Sequence, residues 1–451
     1  MNCNSVSQPN ATHQVPLPGG RQRRVAVVGS GISGLSVAHS LSGLARLTLF
    51  ESQAHFGGHS HTADVRLEGI RCGVDTGFLV FNHRTYPRLV ELFDSLRVVT
   101  AASEMSFSVQ VPQQGIEWSG NSLNTIFAQR RNLLRPRFLG MLRHILRFNQ
   151  LASRMALAGD DALLAEPIAD FLARHHFGDA FRDWYLLPML GCIWSCPTDQ
   201  MLRFPVGTMI RFCHNHGLIQ VADRPQWHTV VGGSRNYVSK LLVGLDDARQ
   251  NCPVRAVQRT AQGVVVVTDH GPECFDDVVL ACHSDQALRL LVDATDDERA
   301  VLGAIVYQRN RAVLHTDTAV LPRRRLAWAA WNYERAGSSA QEQSQVCLHY
   351  LINRLQPLPW KTPVLVSLNP ARAPAAHKVI DEFDYSHPVF DGAAVAAQHR
   401  LPKIQGRAGI WFCGAWTRYG FHEDGLMSGL AVGAALRQGW QQAADAPQWA
   451  A

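Results

Sequence analysis

Gly29-Ser30-Gly31-Ile32-Ser33-Gly34 and Glu51 are spaced for one kind of chemistry, the binding of a dinucleotide. The glycines follow a valine run, Val25 to Val28, and open a leucine-rich stretch at helical spacing. Gly29 allows a tight turn, Gly31 lets backbone approach a pyrophosphate, and Gly34 lets the helix pack closely on the strand. The N–H groups at the helix start then face phosphate charge. Glu51 ends a second strand, Leu47 to Phe50, twenty residues after Gly31, where a carboxylate can accept hydrogen bonds from ribose hydroxyls. Residue types suited to proton transfer gather at two further places. One is His422-Glu423-Asp424 after Gly420, the other His59 and His61 after Gly57-Gly58. Glu423 and Asp424 also fit a helix cap, and His61 a hydrogen-bonded structural role.

The rest of the chain has to position these groups. Its 451 residues are enough for two or three cores, which excludes a small binding module. At 46% hydrophobic and 18% charged residues it reads as globular rather than disordered or fibrous. No apolar run is long enough for a spanning helix and no apolar leader is visible, so a cytoplasmic protein is expected. The ten cysteines include no CxxC and read as reduced thiols. His214 and His216, with Cys213 beside them, lack complementary ligands at metal spacing, so no metal site is expected. No Ser-His-Asp arrangement and no Gly-x-Ser-x-Gly is present.

Gly57-Gly58-His59, shortly after Glu51, resembles the extended fingerprint of FAD-binding enzymes of the amine oxidase superfamily. The absence of a second GxGxxG points to one flavin and no separate nicotinamide domain. Near the other end, the strand Gly409 to Trp416 and the segment Tyr419 to Gly429 resemble the element that closes over the flavin in that superfamily. Asp75-Thr76-Gly77-Phe78, Ile193-Trp194-Ser195, Asn215-His216-Gly217-Leu218, Arg224-Pro225-Gln226-Trp227 and Gly420-Phe421-His422-Glu423-Asp424-Gly425 add to the likeness. Together they resemble the bacterial family of NAD/FAD-binding flavoproteins in this superfamily, similar to the flavoprotein half of plant cyclopropane fatty acid synthases.

The resemblance implies an α/β fold: a Rossmann-like FAD-binding domain interleaved with an α+β substrate domain, the amine-oxidase-like two-domain architecture of the p-hydroxybenzoate-hydroxylase type. It implies a discontinuous FAD domain from residues 23–84, 226–292 and 393–440, and a substrate domain from 85–225 and 293–392. Residues 1–22 and 441–451 are expected to be tails. Non-covalent FAD would lie against Gly29, Ser30, Gly31, Ile32, Ser33, Gly34, Glu51, Gly57, Gly58, His59, Val254, Gly414, Gly425, Leu426 and Met427. His422, Glu423, Asp424 and His59 become the expected catalytic acids or bases. The lysine common in amine oxidases has no counterpart between Tyr307 and Asp317, which puts amine oxidation in doubt. The expected function is hydride transfer between an apolar substrate, plausibly a fatty acyl chain or lipid, and flavin, by desaturation, oxidation or isomerisation. The alternatives are an amine or amino-acid oxidase and a flavin-holding partner of a lipid methyltransferase.

Charge is concentrated in one segment. The formal balance is +6, and from Trp118 to Gly159 there are seven arginines and no acidic residue. Interleaved leucines make the segment an amphipathic helix with three readings: a solvated face, a peripheral contact with membrane or acyl lipid through residues 130–154, or a nucleic-acid surface. No nucleic-acid fold accompanies it, so nucleic acid is not an expected partner.

Overall fold

The computed structural model describes residues 22–158, 166–220, 224–335 and 346–445. The valine run becomes the central strand, Arg24–Val28, of a five-stranded sheet. Arg46–Phe50 and Asp277–Leu280 flank it in parallel, and Asp247–Arg249 and Ile410–Phe412 close the edges, again in parallel. Val25, Ala26 and Val27 are fully buried, as a strand covered on both faces requires. On one face lies the first helix, Ile32–Leu41, with the last helix, His422–Asp445, laid along it. The other face packs on a three-stranded antiparallel sheet, Val254–Thr260, Gly263–Thr268 and Gly271–Phe275.

A second, seven-stranded sheet is built from later and intervening segments. Its order is Val379–Val389, Val306–His315, Leu365–Leu368, Cys347–Leu351, Trp331–Glu334, Phe107–Val111 and Ile116–Ser119. All neighbours are antiparallel except Trp331–Glu334 with Phe107–Val111. Helices between residues 136 and 215 pack nearby, joined by an aromatic cluster that includes Phe148, Phe171, Phe177 and Phe181. The chain thus alternates between a parallel and a mainly antiparallel sheet, the interleaved two-layer α/β plan. Among the described residues no helix is long and apolar enough to cross a membrane.

The expected tail at residues 1–22 lies outside the described residues except for Gln22. At the other end the expected tail is corrected in part, because the last helix runs to Asp445.

The two helices touch through small residues. A β-carbon on Gly429 would fall 2.1 Å from Ser36 Oγ and 2.2 Å from the Ser33 carbonyl oxygen, and one on Gly433 would fall 2.1 Å from Ser40 Oγ. Gly429→Ala should therefore push the helices apart and destabilise the protein by about 1–3 kcal/mol. Ser36→Ala should not rescue it, since the Ser33 carbonyl remains. Urea unfolding of the single and double variants checks this.

Candidate active site

The glycine turn forms as its spacing implies. Gly29 has a φ of +103° and lies so close to the end of strand Asp277–Leu280 that a β-carbon would be 2.9 Å from the Ala281 carbonyl oxygen. Gly34 has no room either, with the Gly29 carbonyl oxygen 1.9 Å from where its β-carbon would be. Gly31 is the opposite case: a β-carbon there would meet no atom within 4 Å. Gly31 caps the first helix without any side-chain hydrogen bond, so the amides of that helix start have no side-chain partner at the cap. Glu51 is buried behind the turn, where its Oε2 accepts from Ser30 N–H (3.0 Å) and Ser30 Oγ (2.5 Å) and its Oε1 from Gln53 N–H (2.9 Å). Gly57 donates to the Ser30 carbonyl and to Ser30 Oγ, both at 3.1 Å, which lays the Gly57-Gly58 loop onto the turn.

These groups line one end of a cavity of about 510 Å³. Gly29, Ser30, Gly31, Ile32, Ser33, Glu51, Gly57, Gly58, His59, Gly414 and His422 all face it. An open glycine, an uncapped helix start and a buried carboxylate beside them fit a dinucleotide: diphosphate at the amides, ribose near Glu51. Much of the remaining wall is apolar, with Met105, Phe107, Met189, Ile193, Phe212, Trp227 and Trp331, and His216 is stacked on Phe212 with ring centroids 3.9 Å apart. No lysine or arginine lines the cavity, and Glu51 is its one carboxylate, among the described residues. Arg309 and Arg311 of strand Val306–His315 are exposed, and Arg311 is paired with Glu382.

Histidines occupy the middle. His59 Nε2 is buried with no hydrogen-bond partner, and its ring lies 5.3 Å from that of His387 and 4.9 Å from that of Tyr385. Burial, and then the neighbouring His387, hold its pKa well below the usual imidazole range. His387 Nδ1 accepts from Asn310 Nδ2 (2.9 Å), an amide whose orientation is set by Asn369 donating to its Oδ1 (2.7 Å). Burial lowers His387 to about 4. His422 stacks on Phe78, with ring centroids 3.9 Å apart, and its Nε2 lies 2.8 Å from the Tyr237 hydroxyl, which in turn bonds Ser60. Burial takes it down to about 3. All three rings are therefore neutral near pH 7.

Other expected site residues lie elsewhere. Glu423 is turned away from the cavity, accepting from the Arg88 (2.8 Å) and Leu89 (3.0 Å) N–H groups at the start of helix Pro87–Ser95. Asp424 accepts from Phe421 N–H (3.0 Å) and is raised by burial to about 6. Both cap helices, and with Met427 they line a second cavity behind Tyr86, Phe212, His216 and Phe421. Gly425 is a contact point with Ile32 and Ser33, and Leu426 is fully buried in the core. Val254 pairs with Thr268 in the three-stranded sheet and does not line the cavity. Gly34 packs against backbone and does not reach it either. His61 bonds Thr76 Oγ1 (2.8 Å) outside it.

Sequence spacing did not single out His387 or Tyr385, which the structure brings to His59 from strand Val379–Val389. It also missed a buried polar cluster one residue out of phase with the cavity wall. Trp331 and Tyr350 face the cavity, while the adjacent pair Asn332 and His349 belongs to the other face of the sheet. There His349 Nε2 lies 3.0 Å from Glu334 Oε2 and 3.5 Å from Cys347 Sγ. Asp317 N–H donates to His315 Nδ1 (3.0 Å), so His315 carries its proton on Nε2, 2.7 Å from Ser367 Oγ. The Ser367 hydroxyl then donates to His349 Nδ1 (2.7 Å), and the His349 proton faces Glu334. This chain of hydrogen bonds is complete without an ion.

With this geometry described, comparison with known proteins is informative. A family model for the NAD(P)-binding Rossmann-like domain matches residues 27–96. None of the curated proteins compared with the chain matches it. Solved structures match over nearly the whole length. The CLA-producing fatty acid isomerase from P. acnes is 16% identical, covering 92% of this chain and 98% of its own, with a TM-score of 0.64. Cyclohexylamine oxidase from Brevibacterium oxydans IH-35A is 14% identical, covering 93% and 100%, with a TM-score of 0.66. Putrescine oxidase bound to putrescine is 16% identical, covering 93% and 99%, with a TM-score of 0.63. The chain shares the fold of these three structures.

The neutral histidines make stability depend on pH with a definite sign. An imidazole at 6.5 in the unfolded chain and about 4 in the folded one, as for His387, binds fewer protons when folded. Stability is therefore full above about pH 6.5 and is lost as pH falls toward 4. At about pH 5 the loss from one such group is about 2 kcal/mol. Urea unfolding should show the fall between neutral and mildly acid pH, and His387→Asn, which keeps an acceptor for Asn310, should flatten it by about that amount.

Proposed function

We propose that this chain is an FAD-dependent oxidoreductase that moves a hydride between an apolar substrate and a non-covalent flavin. The substrate class is a fatty acyl chain or lipid, and the reaction a desaturation, oxidation or isomerisation. The observation that carries this reading is the apolar part of the cavity wall, Met105, Phe107, Met189 and Phe212, in a cavity whose one charged side chain among the described residues is Glu51.

The turn at Gly29 to Gly34 and the first helix start would hold the pyrophosphate, Glu51 the ribose, and the Gly57, Gly58 and Gly414 backbone the length of the dinucleotide. Bound there, FAD supplies a two-electron acceptor for hydride. His59, whose ring lines the cavity, is the residue we assign to hold or move a proton there, its Nε2 having no partner within the protein. His422, fixed between Phe78 and Tyr237, orients whatever lies against it. Neither ring carries charge near pH 7, so each acts as a neutral donor or acceptor. The aromatic and methionine wall excludes water.

The state of the thiols supports non-covalent attachment. Cys413 is buried in the core away from the cavity, while Cys192 and Cys282 line it but are kept protonated by burial, Cys282 being pushed up to about 12. A protonated thiol is a poor nucleophile.

Two measurements test the reading. Glu51→Ala should weaken FAD retention roughly tenfold, the value of a lost charged hydrogen bond, read by acid-released flavin per protein and by titration of the apoprotein. Under anaerobic mixing, the flavin absorbance should bleach with unsaturated fatty acids or phospholipids and not with simple amines. Bleaching by amines alone would install the amine oxidase reading. Failure with every substrate, together with stable co-purification of a methyltransferase, would install the holding-partner reading.

A further inference from the structure

We propose that the helix Pro136–Ala158, with the turn that precedes it, is a docking surface for anionic membrane lipid. The proposal stands independently of the flavin reaction.

The helix buries one face completely: Phe138, Met141, Phe148 and Ala152 have at most 1% exposure. At about 100° per residue, Leu139, Leu146 and Leu157 fall in one row on the opposite side, and Arg143, Arg147 and Arg154 in the row beside it. Leu146 is 63% exposed and Leu157 78%, and Leu134, just before the helix, is 87% exposed. Scattered single leucines on a surface are ordinary, but a row of them bordered by a row of cations is the pattern of an interfacial helix.

The arginines, in turn, lack carboxylate partners. Among the described residues, none of the seven between Trp118 and Gly159 pairs with a carboxylate. Arg130 and Arg131 reach backbone carbonyls, Arg137 lies over Trp184 and Arg147 over Phe177. Elsewhere the chain pairs its arginines freely, as in Arg255 with Asp269 and Arg289 with Asp285. An ordinary solvated helix mixes signs at three- and four-residue spacing, and this one has no acid to mix. Its charge complements phosphate. Nucleic acid also offers phosphates but no apolar layer for the leucine row, whereas a bilayer offers headgroups and acyl chains at the matching depths.

The test uses the full-length holoprotein with phosphatidylcholine vesicles, with and without phosphatidylglycerol. Flotation should show binding to the anionic vesicles only, weakening as salt rises. Each arginine is worth about fivefold near an anionic surface, so Arg143→Ala/Arg147→Ala/Arg154→Ala should lose roughly a hundredfold in vesicle affinity. Leu139→Ser/Leu146→Ser/Leu157→Ser should also lose binding, while the triple Arg→Lys variant retains most of it. Unchanged flavin content and unfolding midpoint show that the variants are folded. Equal binding to neutral vesicles, no binding to either kind, or loss of a DNA fragment rather than of vesicles on removing the arginines would overturn the proposal.

Discussion

The first and last helices meet with no room for a β-carbon. Gly425, Gly429 and Gly433 recur every four residues and place one bare stripe of the last helix on Ser33, Ser36 and Ser40 of the first. This contact fixes where the last helix begins, and so brings His422 next to the glycine turn although almost four hundred residues separate them. It also closes the parallel sheet against the end of strand Asp277–Leu280, where Gly29 and Gly34 again leave no space. Of the three glycines of the turn, Gly31 alone has open space, and it faces the cavity.

Electrostatics in the cavity follows from that geometry. A diphosphate at Gly31 would be met by oriented amides rather than by lysine or arginine, because no cation among the described residues lines the wall. Partial charges at a helix start hold an anion without the desolvation cost of burying a cationic side chain. The histidines deeper in are lowered by burial for the same reason, since nothing nearby stabilises their charged form. Two of them are instead fixed by neutral partners, Asn310 for His387 and Tyr237 for His422.

The local parts of this site were legible in the sequence and the non-local parts were not. Strand, turn, helix and Glu51 lie within about thirty residues and are specified by backbone sterics, so type and spacing suffice. His422 was legible because a glycine turn precedes it. For Glu423 and Asp424, its immediate neighbours, the sequence left proton transfer and helix capping both open; helical rotation of 100° per residue turns them to other partners, and only the placement of helix Pro87–Ser95 shows which helix start Glu423 serves. Val254 was placed by likeness alone, and its strand pairs on the far side of the parallel sheet. The approach of His387 and Tyr385 to His59, and the Glu334, Cys347 and His349 cluster, depend on strand register between distant segments, which composition and spacing do not encode.

The absence of charge along the apolar part of the wall also discriminates between substrates. An ammonium brought there would leave water without gaining a carboxylate, and an unpaired buried charge costs several kcal/mol. An amine could enter only as the neutral base, a small fraction near pH 7 for an alkylamine. An alkyl chain meets the reverse balance, gaining about 0.8 kcal/mol for each methylene transferred from water. With methionine, phenylalanine and tryptophan in the wall and Ser106, Ser195 and His216 as polar groups of the same cavity, such a substrate would be recognised by chain length, shape and neutral hydrogen bonds.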